Sequence, residues 1–262
     1  MSNQGPSDFT ADAARSAAAP LILAVDTTSR RRSVAIARGT QALGMLAVDA
    51  VATHSWQLHE EIDLLLRKLS LNLNQIDLFG VTVGPGSFTG VRVGLSTIKG
   101  FAHSLNKPVV GVSSLAAHAR AAGTIGLVCV CLDALRGEVY AQLFDVHQDG
   151  TVESLTDPSL ALPGLVYASL IDEPTLTLIG DGVLASLDVL QDEAATARKN
   201  IIISPFIRSV KDAWVVIQDV PYLAPAVVAL TVQEAERGHS ASAAELLALY
   251  VRPADAELKR RY

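Results

Sequence analysis

Aromatic residues are scarce in this chain: Phe, Trp and Tyr make up 5 % of its 262 residues. Its core must therefore come from Ala, Val, Leu and Ile. The hydrophobic half of the composition is enough for one large domain or two small ones. Only two cysteines occur, Cys129 and Cys131. They alternate along an apolar stretch that reads as a strand, so both side chains face one way, a poor placement for a disulfide. They are expected as small buried residues in a reducing compartment. No apolar run reaches the ~18 residues that a membrane span needs. No Lys/Arg cluster stands out, and the formal net charge is −6. Nucleic-acid backbones are held by several basic side chains, so strong autonomous binding is disfavoured. A role beside a partner that holds RNA stays open. GxSxG, Walker and CxxC motifs are also missing, which removes the commonest hydrolase, P-loop and thiol-redox readings.

Residues 1–19 are rich in Ser, Ala and Asp, with no positive start and no continuous apolar core. They are expected as a disordered tail rather than a secretory signal, in a cytoplasmic protein. From there the chain is organised. Leu21 to Asp26 is a short apolar run ending in an acid. Two alternating stretches, Arg32 to Arg38 and Ala42 to Val48, flank Gly39-Thr40, as in a hairpin. A helix is expected from Ser55, a plausible N-cap, to Ser70, with Leu58, Ile62, Leu65, Leu66 and Leu69 on one face. Strand 78–83, helix 87–105, strand 109–112 and a short helix from Ser113 or Ser114 to about Ala122 follow. Their alternation predicts parallel strands with right-handed crossovers.

The second half is less regular. Leu127 to Leu132 and Val139 to Val146 read as a hairpin. Pro158 to Leu170 is helix or loop, Leu176 to Ile179 a strand, and Val183 to Leu190 a helix after the turn Gly180-Asp181-Gly182. Ile201 to Ile203 is a short strand, Pro221 to Gly238 a long helix, and Leu247 to Val251 a possible last strand. The expected class is α/β. The first half has the order of one ribonuclease-H-like unit of the actin-like ATPase fold, and the second is a degenerate copy. The expected bounds are a tail over 1–19 and two subdomains over 20–124 and 125–262.

The most informative run is Gly84-Pro85-Gly86-Ser87-Phe88-Thr89-Gly90-Val91-Arg92-Val93-Gly94. It leaves the carboxyl end of a strand, where α/β folds place ligands, and opens a helix whose free amides suit an anion. A plain tight turn and an anion cradle both fit. Each interior helix glycine costs about 1 kcal/mol against alanine. Gly86, Gly90 and Gly94 share a face that lets another backbone come close, beside the apolar stripe Val91, Leu95 and Ile98. That face packs inside the domain or, with the 55–70 helix, meets another subunit. On the second reading Gly94→Leu weakens association without unfolding. Asp26-Thr27-Thr28-Ser29 is a turn former, or an acid for magnesium with hydroxyls for phosphate. Asp133 and Glu138 flank Arg136, as a structural ion pair or a partner contact. His54 and His59, five apart, lie about 140° apart around a helix, unlike the i, i+4 pair of a zinc helix. No metal site is expected.

Leu21–Ser29, Gly84–Lys99, Val109–Leu115 and Leu132–Tyr140 together resemble the bacterial TsaB (YeaZ) family. Gly180-Asp181-Gly182 and Tyr250-Val251-Arg252-Pro253 extend the likeness weakly. The resemblance implies an actin-like ATPase fold of two ribonuclease-H-like subdomains. It also implies a role in making N6-threonylcarbamoyladenosine in tRNA, as a non-catalytic scaffold for the catalytic TsaD with the ATPase TsaE. ATP, ADP and metal would then sit on those partners, and tRNA would be met only through the complex. The chain alone would be a homodimer. By position, the subunit interface would use Leu58, Ile62, Leu65, Leu66, Gly90, Val91, Gly94, Leu95 and Ile98. Asp26, Thr27, Thr28, Gly86 and Ser87 would be vestigial nucleotide or anion contacts, and Asp133, Arg136 and Glu138 a partner contact. The alternatives are a small-molecule kinase or ATPase of the same superfamily and, from older descriptions of the family, a metallopeptidase.

Overall fold

The structure is a computed structural model that describes residues 19–49, 55–205 and 209–251, with the side chains of Ser55 and Trp56 left aside. The tail expected over 1–19, His54, the Ser55 cap, Arg252 and Pro253 thus lie wholly or largely outside the described residues.

Three antiparallel strands open the chain: β1 (Leu21–Asp26), β2 (Arg31–Arg38) and β3 (Gln41–Asp49). Helix α1 (Ser55–Lys68) leads to β4 (Leu78–Gly84), α2 (Phe88–Leu105), β5 (Val109–Ser113) and α3 (Ser114–Ala121). β4 and β5 join parallel to β1, giving the order β3-β2-β1-β4-β5. The second half repeats the plan. β6 (Gly126–Asp133), β7 (Val139–Val146), β8 (Val152–Ser154) and β9 (Ser159–Ala161) form its antiparallel side. β10 (Leu176–Ile179), β12 (Trp214–Ile217) and β11 (Ile201–Ser204) add parallel to β6. Its helices are α4 (Pro163–Ala168), α5 (Asp181–Ala185), α6 (Leu187–Thr196) and α7 (Ala224–Glu236).

Strand periodicity of two divides the core into layers. On β1, Ile22 and Ala24 face a middle layer shared with α3, α7, β6 and Phe144. Leu21, Leu23 and Val25 face α1 and α2. On β6, Val128 and Val130 face the middle layer, while Cys129 and Cys131 face outward under Tyr167, Val183 and Leu190. The stack is helix, sheet, helix, sheet, helix. Both faces of each central strand are covered, so β1 and β4 are buried along their whole lengths. The two thiols share a face as expected, with sulfurs 3.7 Å apart. The hydrogen bond from Cys129, then burial, push the Cys131 thiol well up, which keeps it protonated and inert.

Helix α7, late in the chain, packs on the first sheet and not only on its own half. It touches β1, β2, β4, β5 and α3. Ser33 of β2 accepts a hydrogen bond from the first amide of α7, Ala224, at 3.0 Å. Arg31 holds the preceding loop: it donates to the Val220 carbonyl, lies 4.4 Å over the Tyr222 ring and pairs with Asp49 at 3.5 Å.

Two expectations change, and one strand is added. No strand forms over Leu247–Val251; those residues run irregularly, and the Leu249 amide donates to the Val83 carbonyl at 2.8 Å. The stretch Pro158–Leu170 divides into β9 and α4, with a proline in the first turn of the helix. β12, a fully buried run of four residues, carries no alternation that marks it in the sequence.

Candidate functional site

Asp26 ends β1 with no exposed surface. Its Oδ1 accepts three hydrogen bonds: from the Thr28 amide at 3.1 Å, the Thr28 hydroxyl at 2.7 Å and the Thr82 hydroxyl at 2.8 Å. Its Oδ2 is buried, and no donor among the described residues reaches it. The run entering α2 closes over the next two residues. The Ser87 amide donates to the Thr28 carbonyl at 2.7 Å, and the Thr27 hydroxyl donates to the Gly90 carbonyl at 2.7 Å. Ser87 caps the helix as expected, its Oγ accepting from the Gly90 amide at 3.2 Å.

The glycines explain why this approach is possible. A Cβ on Gly86 would stand 2.5 Å from the Thr28 carbonyl oxygen, and one on Gly90 1.9 Å from that of Thr27. One on Gly94 would stand 2.4 Å from the Thr27 hydroxyl. The backbone received by this face belongs to the chain itself. The second half repeats the device. A Cβ on Gly180 would lie 2.1 Å from the Cys131 carbonyl oxygen, and one on Gly182 2.7 Å from the Leu132 carbonyl carbon. There the Asp133 amide, at the end of β6, donates to Asp181 Oδ1 at 2.9 Å.

Helix α3 runs between the two strand ends. The Ser114 hydroxyl donates to the Pro85 carbonyl, and His118 Nδ1 lies 2.7 Å from the Ser114 carbonyl. A carbonyl can only accept, so the neutral His118 ring carries its proton on Nδ1. Burial holds its pKa below the ordinary 6.5, against the raising effects of the Ser114 carbonyl and of the Asp26 and Asp181 charges. The unfolded chain then binds the proton more readily than the native one, so stability is full above about pH 6.5 and falls as the pH drops through that value. We expect the urea midpoint to decline between about pH 7.5 and 5 and the decline to be shallower in His118→Gln. Parallel pH profiles for the two proteins would refute this assignment.

A nucleotide phosphate would need the amides of the α2 entry and the hydroxyls of Thr27 and Thr28. The Ser87 and Gly90 amides and both hydroxyls are already used within the chain. Thr82, Ser114, His118 and Asp181 complete the cluster and were not picked out from the sequence. Thr82 and His118 do carry a signal: each is a polar residue inside an apolar run. Among the described residues, no group of three or more His, Cys, Asp or Glu is arranged to hold a metal.

The nine residues expected at a subunit interface need correction. Leu58, Ile62, Leu65, Leu66, Val91, Leu95 and Ile98 are each 7 % exposed or less and form one cluster with β1, β2 and β4. Gly90 and Gly94 are buried against Thr27. A partner cannot touch side chains that the chain's own sheet covers. What α1 and α2 show to solvent is a different set: Leu64, 42 % exposed; Phe88, 50 % exposed, with the Arg92 guanidinium 3.7 Å above its ring; Ser96; and Arg92 itself. Tyr250 stacks at 6.1 Å from Phe88 and extends that surface. Of the β6–β7 turn, Asp133 Oδ1 accepts from the Leu135 amide at 2.8 Å, while Leu135 and Arg136 are exposed at positive φ.

Comparison with known proteins gives these folds and residues a family. The profile of tRNA N6-adenosine threonylcarbamoyltransferase (TsaD) matches residues 33–169. The chain is 37 % identical over 122 residues to the tRNA threonylcarbamoyladenosine biosynthesis protein TsaB of Haemophilus influenzae, covering 45 % of this chain and 51 % of that one. It is 32 % identical over 137 residues to the TsaB of Bacillus subtilis, covering 51 % and 58 %. These matches span little more than half the length of the relatives. The solved structure of YeaZ from Pseudomonas aeruginosa superposes with a TM-score of 0.72 at 24 % identity, over 88 % of this chain and 99 % of that one. The fold is thus that of YeaZ, two ribonuclease-H-like sheets in the actin-like arrangement. With over half its length inside the matched profile, the chain belongs to the TsaD family, and its curated likenesses set it on the TsaB (YeaZ) side.

Proposed function

We propose that the chain is a non-catalytic scaffold subunit of the complex that forms N6-threonylcarbamoyladenosine in tRNA. Its partners in this reading are the catalytic TsaD and the ATPase TsaE, in the cytoplasm. The observation that carries the non-catalytic part is the closure of the strand-end pocket. The hydroxyls of Thr27, Thr28 and Thr82, and the amides of Ser87 and Gly90, bind the chain's own oxygens. Groups already spent on folding are not free to hold a substrate. The likeness to TsaB supplies the pathway. ATP, ADP and metal then belong to the partner subunits, tRNA is met through the assembled complex, and the isolated chain pairs with itself. The surface proposed for TsaD is the outward face of α1 and α2, with Leu64, Phe88 and Arg92, in place of the buried residues first expected.

Reconstitution tests this. We expect threonylcarbamoyl transfer to tRNA by TsaD, TsaE and the threonylcarbamoyl adenylate to fall at least ~10-fold when this chain is omitted, about 1.4 kcal/mol of barrier. The chain alone should transfer nothing. Transfer that proceeds equally well without it would end the proposal.

A second reading, a small-molecule kinase or ATPase, is favoured by one atom. Asp26 Oδ2 is buried with no donor among the described residues, and buried carboxylate oxygens usually have one. Calorimetry of the isolated chain with magnesium and ATP decides between them. Heat of binding at millimolar nucleotide supports the kinase reading, and none supports the scaffold.

A further inference from the structure

The second sheet ends at β8, and among the described residues no strand pairs with its outer side. The ladder with β7 fixes which way the β8 backbone points. The His147 amide donates to the Thr151 carbonyl and the Leu155 amide to the Leu143 carbonyl, both at 2.9 Å. Bonded pairs alternate along antiparallel strands, so Glu153 bonds to Asp145 while Val152 and Ser154 turn their N–H and C=O groups away from the sheet. Beside this free edge lies a cleft of about 520 Å³, lined from β5, α3, α7 and β8. Val112, Ala116 and Leu230 give it an apolar lining, and Val152 packs with them in the middle layer. The opposite face of the edge is acidic. Glu153 stands directly across from Asp145, an unfavourable like-charge pair, and its side chain is 62 % exposed. One of its oxygens, Oε2, lies 3.2 Å from His147 Nε2.

We propose that an extended peptide segment of a partner protein, alternating apolar, basic and apolar, adds as a strand to the free edge of β8. Its main chain exchanges hydrogen bonds with Val152 and Ser154, the groups that the sheet leaves over. Successive side chains of a strand point to opposite faces. The two apolar side chains therefore follow Val152 toward the cleft and cover its lining. The basic one between them lies on the outer face beside Glu153. A cation there offsets the two facing carboxylates, which an acidic residue would aggravate. A slip of one residue would carry the basic side chain over Val112 and Leu230, so the alternation of the segment sets its register. The site lies on the second half and is independent of the proposed function, whose surface is the helical face of α1 and α2.

Calorimetry of the full chain with the blocked peptide acetyl-Thr-Val-Lys-Val-Thr-amide tests this. Wild type should bind it with a dissociation constant below ~1 mM. Replacing the lysine of the peptide by glutamate should weaken binding at least ~10-fold, and Glu153→Lys should reverse that preference. Ser154→Pro deletes an amide that faces away from β7. Edge strands tolerate proline at such positions, so the circular dichroism spectrum should be unchanged while binding falls at least ~10-fold. With wild type saturated, hydrogen exchange should slow at the Val152 and Ser154 amides. No heat at about 5 mM peptide, a lysine preference that survives Glu153→Lys, or protection that spares β8 would each overturn the proposal. Undiminished binding by a folded Ser154→Pro protein overturns it too. None of these outcomes bears on the reconstituted transfer reaction, so the scaffold reading stands or falls separately.

Discussion

Gly90→Ala is expected to cost the protein ~3 kcal/mol or more, lowering the melting temperature by about 6–12 °C for a chain of this size. The substitution adds one methyl group, and in an ordinary helix it would stabilise by about 1 kcal/mol. Here the new carbon would lie 1.9 Å from the Thr27 carbonyl oxygen. That oxygen is backbone, and its residue is pinned on both sides. Thr27 donates its hydroxyl to Gly90, and Thr28 is tied to Asp26 through amide and hydroxyl. Neither wall can yield without breaking buried hydrogen bonds. Gly100, on the same helix, has no atom within 4 Å of its would-be Cβ. Gly100→Ala should therefore move the opposite way, by up to about +1 kcal/mol. Thermal or urea unfolding of the pair measures both signs, and a Gly90→Ala protein as stable as wild type would refute the packing. The same geometry revises Gly94→Leu. Its side chain would meet Thr27 and Val81, so the fold itself is weakened rather than an association.

The second large effect is at the pair that fastens α1 to the first sheet. Arg32 is 2 % exposed; its Nε donates to Glu61 Oε2 at 2.9 Å, and its Nη2 donates to Glu61 Oε1. One guanidinium nitrogen, Nη1, is already buried without a partner. Glu61→Ala would leave the whole cation uncompensated, at a cost of ~3–5 kcal/mol. Replacing both residues, as Arg32→Met with Glu61→Leu, should recover most of that loss, because an apolar pair of similar volume carries no desolvation penalty. Urea midpoints of the single and double variants form the test. A Glu61→Ala protein within 1 kcal/mol of wild type would show that solvent reaches Arg32.

Much of this architecture is legible in the residues. The runs Leu21–Asp26 and Leu78–Gly84 read as buried strands because covered sheets need apolar residues on both faces. Ser87 reads as a cap because a hydroxyl before an apolar helix has a free amide to meet. The glycines of α2 were legible as a site of close approach, but the approaching backbone was not. Periodicity shows which face of a helix is covered and is silent on what covers it. Leu58, Ile62 and their neighbours therefore fit an interface and a core equally well on paper, and the sheet settles them as core. The four residues of β12 are too few to show a period, and Trp214 there is held through its indole N–H by the Glu173 carbonyl, a contact far away in sequence. The strand-end cluster escaped for a similar reason. Thr82, Ser114, His118 and Asp181 come from three elements, β4, α3 and α5, and meet only once the two halves have closed.

Helix α7 has a bearing on how the polypeptide matures. It covers a sheet whose strands are the first to be synthesised, and Ser33 and Arg31 wait near the start of the chain for Ala224 and Val220. While the ribosome is still adding the second half, that side of the sheet has only the short α3 to cover it. The first sheet is therefore fully covered only after α7 has been made.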